Sequence, residues 1–294
     1  MEWKGRSALV TGSSRGIGKS TALALARRGM RVYAGVRSAE DGERLRAAAE
    51  TITAIRLDVR ELPDVKAAAA RIEAEVGESG LDVLVNNAGA VAMAPIEHVT
   101  PDELRNLFEV NVLGQVAVIQ AMLPLLRRAG GRIVNIGSDA AKFTLPLTGP
   151  YGSAKAAFEA IAVALRREVR AQGVTVVAFQ PGSVNTRLWD RIVADLRAGR
   201  GSWSGHPDYQ AFAAGVAAVA ERGRHQGRSP EAVAEEVVRL VSMRRPPVLR
   251  RLGWDARMRS LIIDLLPARA VDNMIIKSLT AHGGRRTAHA PESR

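Results

Sequence analysis

The chain has 294 residues, enough for one large α/β domain, and its 47% hydrophobic and 24% charged content is ordinary for a globular protein. It has no cysteine, which excludes disulfides and thiolate metal sites and fits a reducing, cytoplasmic compartment. The net charge of +12 reads either as an arginine-rich composition bias or as attraction for anionic partners; with 4% aromatics and no basic run or zinc-finger spacing, nucleic acid is not expected.

Apolar runs and helical patterns alternate along the chain. Residues 7–11 predict a buried strand, 18–28 a helix closed by Gly29, 31–36 a strand, 39–50 a helix and 52–57 a strand. Next come a helix over 64–76, a strand over 81–85 and a long helical pattern over 101–128 with Pro124 near its end. A strand over 132–136, a helix over 151–172 and a strand over 174–179 follow. Apolar strands separated by helices imply a parallel sheet covered on both faces. The expected fold is α/β, a single Rossmann-like, doubly wound domain with its ligand at the carboxyl ends of the strands.

Residues 188–228 are less regular, rich in Gly, Ala and Arg, and read as a segment covering the site. A helix over 230–243 follows the Ser229-Pro230 start signal, and 248–252 reads as the last strand. The catalytic domain is assigned to 1–252, an amphipathic helical extension interrupted by Pro267 to 253–280, and a polar, disordered tail to 281–294. The first apolar run comes too early for a signal peptide, and no stretch is seen to approach the roughly 18 uncharged apolar residues of a membrane span.

Gly12, Gly16 and Gly18 stand between the first strand and the first helix. Glycines there let the backbone approach a pyrophosphate while the helix N-terminus supplies N–H groups. The spacing is G-x-x-x-G-x-G, and a purely structural turn is the alternative. The second strand ends in Tyr33-Ala-Gly-Val-Arg37, with no acid to meet a ribose 2′-hydroxyl. Arg37, with Arg15 in the turn, suits a 2′-phosphate, so NADP(H) is preferred and NAD(H) is the second choice. Ordinary surface arginines are the competing reading. Asp58 reads either as an adenine contact or as a turn aspartate.

Tyr151 and Lys155 are four residues apart and share a helix face. An ammonium beside a phenol favours the phenolate and lowers its pKa from about 10, which suits proton transfer near neutral pH. Ser138 is spaced to hold the substrate oxygen. The same pair also occurs by chance on solvated helices, so the other motifs carry weight.

Thr11-Gly-x-x-x-Gly-Ile-Gly18, Asn86-Asn-Ala-Gly89, Asn111, Ser138, Tyr151-x-x-x-Lys155 and Pro181-Gly182 occur in this order. On these residues the chain resembles the single-domain short-chain dehydrogenase/reductase family, strongly over 5–190 and more loosely to about 250. The resemblance implies that Tyr151 is the acid in reduction and the base in oxidation. It implies that Lys155 tunes the tyrosine and binds the nicotinamide ribose, and that Ser138 orients the substrate oxygen. Asn111 would anchor a water leading from Lys155, or else bridge backbone groups at a helix kink. The implied cofactor site comprises Gly12, Ser14, Arg15, Gly16, Ile17, Gly18, Arg37, Asp58, Val59, Asn87, Ala88 and Gly89, with Tyr151 and Lys155. Pro181, Gly182, Val184 and Thr186 would border the nicotinamide and its phosphates. Asn86 and Asn87 serve strand hydrogen bonding in the competing view, and Thr186 a helix cap.

A finer likeness rests on Tyr33-Ala-Gly-Val-Arg37, the extension past 250 and Gly253-Trp-Asp-Ala-Arg257. It is to members acting on retinoids, steroids and other lipophilic alcohols or ketones. Met93, Ala140, Phe143, Leu188 and Trp189 are then candidate substrate contacts beside Ser138, or else core and lid packing. The histidines show no metal spacing, and no metal is expected. The expected function is NADP(H)-dependent interconversion of a lipophilic or secondary alcohol and its ketone or aldehyde. A 3-oxoacyl thioester reductase for carrier-bound substrates and a non-catalytic cofactor sensor are the alternatives. The family likeness implies a homodimer or homotetramer through 101–128 and 151–172. The apolar residues from Met258 to Leu279, flanked by Arg257, Arg259, Arg269 and Lys277, read as a lid or dimer-contact helix, or as one touching anionic membranes.

Overall fold

The computed structural model describes residues 3–197 and 206–287. The strands are β1 (Ser7–Val10), β2 (Arg31–Val36), β3 (Ile52–Arg56), β4 (Val83–Asn86), β5 (Arg132–Ile136), β6 (Thr175–Gln180) and β7 (Leu249–Arg251). They form one parallel sheet in the order β3-β2-β1-β4-β5-β6-β7. Between them run α1 (Gly16–Arg27), α2 (Ala39–Ala48), α3 (Leu62–Val76), α4 (Pro101–Phe108), α5 (Gly114–Ala129) and α6 (Gly149–Val169). After β6 come α7 (Arg187–Arg197), α8 (Pro207–Gln226) and α9 (Pro230–Ser242), and after β7 come α10 (Trp254–Leu265) and α11 (Ala268–Thr287).

Side chains alternate faces along each strand. Ala8 and Val10 join Val32, Ala34, Val85 and Phe179 in a core shared with Leu25 of α1 and Val237 of α9. Leu9, Tyr33, Leu84 and Ile133 face the other way, against Ile72 of α3, Met122 of α5 and Phe158 of α6. Both faces of β1 and β4 are buried along their whole length, which is why these segments read as continuous apolar runs.

The sheet grows outward in both directions from β1 and β4. The loops leaving their carboxyl ends diverge there and open a crevice. The glycine turn, the segments after β2 and β4, Ser138 and residues 181–186 all leave the sheet at this edge.

Four expectations are corrected. The pattern over 101–128 is not one uninterrupted α-helix, because Glu109–Leu113 forms a π-turn between α4 and α5. The run Pro101–Ala129 is also long and apolar enough by composition to cross a membrane, with an 18-residue window at mean hydropathy 1.4. Half of that window is buried in the domain, and Val118, Met122 and Leu126 fill the core, so the apolarity is that of a core helix.

The described residues of 188–228 are far more regular than their composition suggests. α7 and α8 form a third core, in which Ile192, Leu196 and Val216 meet Leu147 and Leu279 of α11. Gly215 serves close packing, since a Cβ there would lie 2.8 Å from the Leu279 Cα. The start of α8 also packs onto the loop after β4, with the His98 and His206 ring centroids 4.9 Å apart.

The tail does not become irregular at 281. α11 runs on through Thr287, propagated from the packed segment around Val271 and Leu279, and residues 288–294 lie outside the described part. The apolar stripe of the extension is split. Val271 and Leu279 are buried, while Leu261, Leu265, Leu266 and Ile276 are exposed.

Candidate active site

The segment from Thr11 to Gly18 turns back at the end of β1 and presses against the end of β4. Gly12 and Gly16 have φ of 65° and 57°, in the left-handed region. A Cβ on Gly12 would lie 2.9 Å from the Ala88 Cα, and one on Gly18 would collide with the Gly12 carbonyl and the Asn87 amide. Thr11 Oγ1 accepts hydrogen bonds from the backbone N–H groups of Asn87 and Ala88, each at 2.9 Å. Asn87 Nδ2 donates to the carbonyls of Thr11 at 2.9 Å and Gly12 at 3.2 Å. Asn86 is buried between β4 and β5, and its amide donates to Asn135 Oδ1 at 3.3 Å.

α1 opens at Gly16 with no side-chain cap and no acidic residue in its first turn. Its first N–H groups and the positive end of its dipole are therefore unspent, which is an anion cradle. Ile17 is half-buried behind it, and Thr186 lies opposite, its methyl 3.5 Å from where a Gly16 Cβ would stand. Ser14 reaches Asp41 at the start of α2, whose carboxyl is held low chiefly by Arg44, with the Ser38 and Ser14 hydroxyls adding.

Arg15 and Arg37 are exposed at this edge. Asp58 accepts from Arg60 Nε at 3.1 Å and Nη2 at 2.8 Å, and from the Arg60 N–H at 3.1 Å. That contact first, and Arg37 more weakly, keeps its carboxyl below the usual range. In this geometry Asp58 is occupied as a turn residue. Val59 is buried, with Gly114 packed against its carbonyl.

Ser138 follows β5 and starts a 3-10 turn, its Oγ accepting from the Ala140 N–H at 3.2 Å. Tyr151 lies in the first turn of α6, close enough to Ser138 for the serine hydroxyl to act on its phenol. Lys155 is buried one turn later, donating to the Ile136 carbonyl at 3.1 Å with its Nζ 5.9 Å from the Tyr151 ring centroid. Serine, tyrosine and lysine thus meet at the carboxyl edge of the sheet.

Asn111 sits in the π-turn, a geometry that places an extra residue inward. Its Nδ2 donates to the Ala90 carbonyl at 2.9 Å and its Oδ1 accepts from the Ala90 N–H at 3.1 Å. This is the backbone-bridging arrangement, and each end of the amide retains capacity for one further partner. A Cβ on Gly89 would stand 3.1 Å from Asn111 Oδ1 and 3.8 Å from Lys155 Nζ, so the two side chains converge on one glycine.

The electrostatics overturn one expectation. Burial pushes the Tyr151 phenol up to about 12, opposed by the Ser138 hydrogen bond and reinforced by the Asp139 charge. Burial pulls the Lys155 ammonium down to about 8. Burial is the first cause of both shifts and opposes the charged form of each, so the phenol is raised where an ammonium neighbour alone would lower it.

The candidate substrate residues divide. Ala140 and Phe143 are half-buried on the turn after Ser138. Met93 packs against the third core. Leu188 and Trp189 belong to α7, and their side chains lie outside the described ones. Pro181 and Val184 are buried and Gly182 has φ 68°. The loop they form is pinned to Arg228, which accepts from the Asn185 N–H at 2.8 Å.

Several contacts escaped the sequence reading. Leu147 is buried with φ 68°, the one positive φ among described non-glycine residues, and its carbonyl accepts from the Ala94 N–H at 2.9 Å. Gln180 Nε2 donates to Glu159 at 2.8 Å and its Oε1 accepts from Arg251 at 3.0 Å, bracing the approach to Pro181. α10 grips the turn after Ser138: Arg259 pairs with Asp139 at 2.7 Å, and Lys142 Nζ meets Asp264 at 2.5 Å and Ser260 Oγ at 3.1 Å. No periodicity or motif marks these pairs in sequence.

The family model for short chain dehydrogenases matches residues 6–197. An NADPH-dependent 3-dehydrocapnine reductase of Ornithobacterium rhinotracheale is 34% identical, over 93% of this chain and 97% of its own. The 17-beta-hydroxysteroid dehydrogenase type 6 of Rattus norvegicus is 31% identical, over 90% and 86%. A short-chain dehydrogenase from Streptomyces avermitilis has a crystal structure similar at a TM-score of 0.77 and 29% identity, covering 94% of this chain and 98% of that one. The parallel sheet agrees with the structural likeness, and the chain belongs to the short-chain dehydrogenase family of oxidoreductases.

Proposed function

We propose that the protein is an NADP(H)-dependent oxidoreductase interconverting a lipophilic or secondary alcohol and its ketone or aldehyde, with Tyr151 as acid and base. The observation that carries this reading is the meeting of Ser138, Tyr151 and Lys155 beside an uncapped, glycine-lined helix N-terminus. The cradle around Gly12, Gly16 and Gly18 would hold a pyrophosphate, Arg15 and Arg37 a 2′-phosphate, and Lys155 the nicotinamide ribose. When bound, NADP(H) supplies or takes up a hydride at the substrate carbon. Ser138 holds the substrate oxygen. In reduction that oxygen takes the Tyr151 proton as the carbonyl π pair moves onto it; in oxidation Tyr151 takes the proton back.

NADP(H) is favoured by the two arginines and by the name of the 34%-identical relative, an NADPH-dependent reductase. A lipophilic substrate is favoured by the hydroxysteroid dehydrogenase likeness. A homo-oligomer through α5 and α6 is part of the proposal, supported by the exposed Leu113 and Val163. Trp254 and Leu265 are 75% and 70% exposed and favour a lipid or partner contact for α10. Co-sedimentation with anionic vesicles at low salt tests the lipid contact.

The deciding experiment is NADPH oxidation against a panel comprising a steroid ketone, retinaldehyde, a cyclic ketone and a 3-oxoacyl thioester. The expected result is turnover with a lipophilic carbonyl, faster with NADPH than with NADH. Preference for the thioester would move the assignment to acyl reduction. No turnover with any carbonyl, in a protein that binds NADPH, would favour the sensor reading.

A further inference from the structure

The turn that carries Ser138 is not held by the sheet alone. Asp139, the next residue, faces Arg259 of α10, a carboxylate oxygen and a guanidinium nitrogen 2.7 Å apart, each side chain about a quarter exposed (25% and 27%). The same guanidinium lies over the Phe143 ring, 6.0 Å from its centroid. One turn further along α10, Asp264 takes Lys142 at 2.5 Å, and Ser260 Oγ accepts from that lysine at 3.1 Å. Asp139, Lys142 and Phe143 thus all contact the C-terminal extension. The charged groups around Tyr151 are Lys155 on its own helix and Asp139 on the turn; facing Asp139 is Arg259, while Lys142 and Asp264 neutralise each other.

We infer that Arg259 is a positioning residue of the proton-transfer site: by pairing with Asp139 it fixes the turn that carries Ser138 and screens a carboxylate from the Tyr151 phenol. The C-terminal extension is then a working part of the active site. Two independent features agree. Geometrically, Ser138 Oγ is held by the N–H of Ala140, within the turn that Asp139 begins, so a loosened Asp139 moves the donor that aims Ser138. Electrostatically, the Asp139 charge opposes ionisation of Tyr151, and a guanidinium 2.7 Å from that carboxylate carries the opposite sign of field. Arginine suits the place because its planar head can pair with a carboxylate and lie over an aromatic ring together.

The inference rests on Tyr151 as the proton-transfer group, but its test needs no substrate and so fails separately from that reading. The chain has three tyrosines, so protein labelled with carbon-13 at the tyrosine Cζ gives three resonances. The one missing in Tyr151→Phe belongs to Tyr151. Its titration is followed in the free protein and in protein saturated with NADP. Arg259→Gln is expected to raise the pH at which Tyr151 ionises by about 0.5 to 1 pH unit, and Asp139→Asn to lower it by a similar amount. Arg259→Lys, which keeps the charge, stays near wild type, and Arg259→Gln has a smaller effect in the Asp139→Asn background than alone. A purely structural brace would move melting temperatures and leave this titration in place. The inference is overturned if Tyr151 ionises at the same pH in all these proteins. Should Arg259→Gln not fold, Asp139→Asn and Arg259→Lys decide by the same criteria.

Discussion

Around Thr11 and Gly12 the loops leaving β1 and β4 touch backbone to backbone, held by a buried threonine hydroxyl and an asparagine amide. Around Asp139 and Lys142 the turn leaving β5 is held from outside, by partly exposed charged side chains of a helix near the end of the chain. The cradle admits almost no change of volume, because neighbouring main chain already fills the space beside its glycines. The turn after Ser138 is held by ion pairs, whose strength depends on charge, salt and pH. In the proposed reading, a nucleotide site of fixed geometry is thereby combined with a substrate side held by surface side chains.

The largest effect is expected at the shared centre of the two regions. Tyr151→Phe should lower turnover by about 10²- to 10⁴-fold while leaving NADPH affinity, read by fluorescence titration, within about threefold. An active variant would break the mechanism. Next, Gly18→Ala should weaken NADPH binding by roughly 10- to 100-fold, since its methyl meets the Gly12 carbonyl and the Asn87 amide. Wild-type affinity in that variant would mean the cradle is not the rigid partner in the comparison.

Lys155 supplies a pH test. Its folded pKa of about 8 lies below the ordinary 10.5, so the unfolded chain binds more protons between those values and this group makes stability rise with pH across that window. Tyr151, raised from 10 to about 12, keeps its proton when folded, so its contribution falls from about pH 10 to 12. Lys155→Met should therefore be more stable than wild type below pH 8, by up to about 3 kcal/mol, with the gain fading by pH 10.5. Urea melts at pH 6.5, 9 and 10 would show this, and a pH-independent difference would count against it. The smallest effect belongs to the outer grip: Asp264→Asn should cost about 1 kcal/mol or less and nothing measurable in 1 M salt. A salt-insensitive loss above about 2 kcal/mol would erase the contrast between the two regions.

The strands over 31–36 and 132–136 are legible in sequence because each is an apolar run that must be buried on both faces. The cradle is legible because its requirements, positive φ and lack of a Cβ, are local to Gly12, Gly16 and Gly18. Tyr151 and Lys155 are legible because helical periodicity sets their common face. The π-turn at Asn111 is not, since apolar spacing tolerates one extra residue within a helix. Nor is α8, whose alanine-rich sequence has little periodicity and which packs closely on α11 where Gly215 meets Leu279.

By itself, then, the sequence determined the parallel α/β sheet, the place of the glycine turn and the identity of the Ser138, Tyr151 and Lys155 cluster. These depend on patterning and on residue chemistry over short spans. Tertiary structure alone decided the direction in which Tyr151 and Lys155 are tuned, because desolvation depends on everything packed around them. It alone joined Lys142 to Ser260, 118 residues away, and Asp139 to Arg259. Charge pairs of that kind leave no local trace, since either partner would be an ordinary surface residue if the chain passed elsewhere.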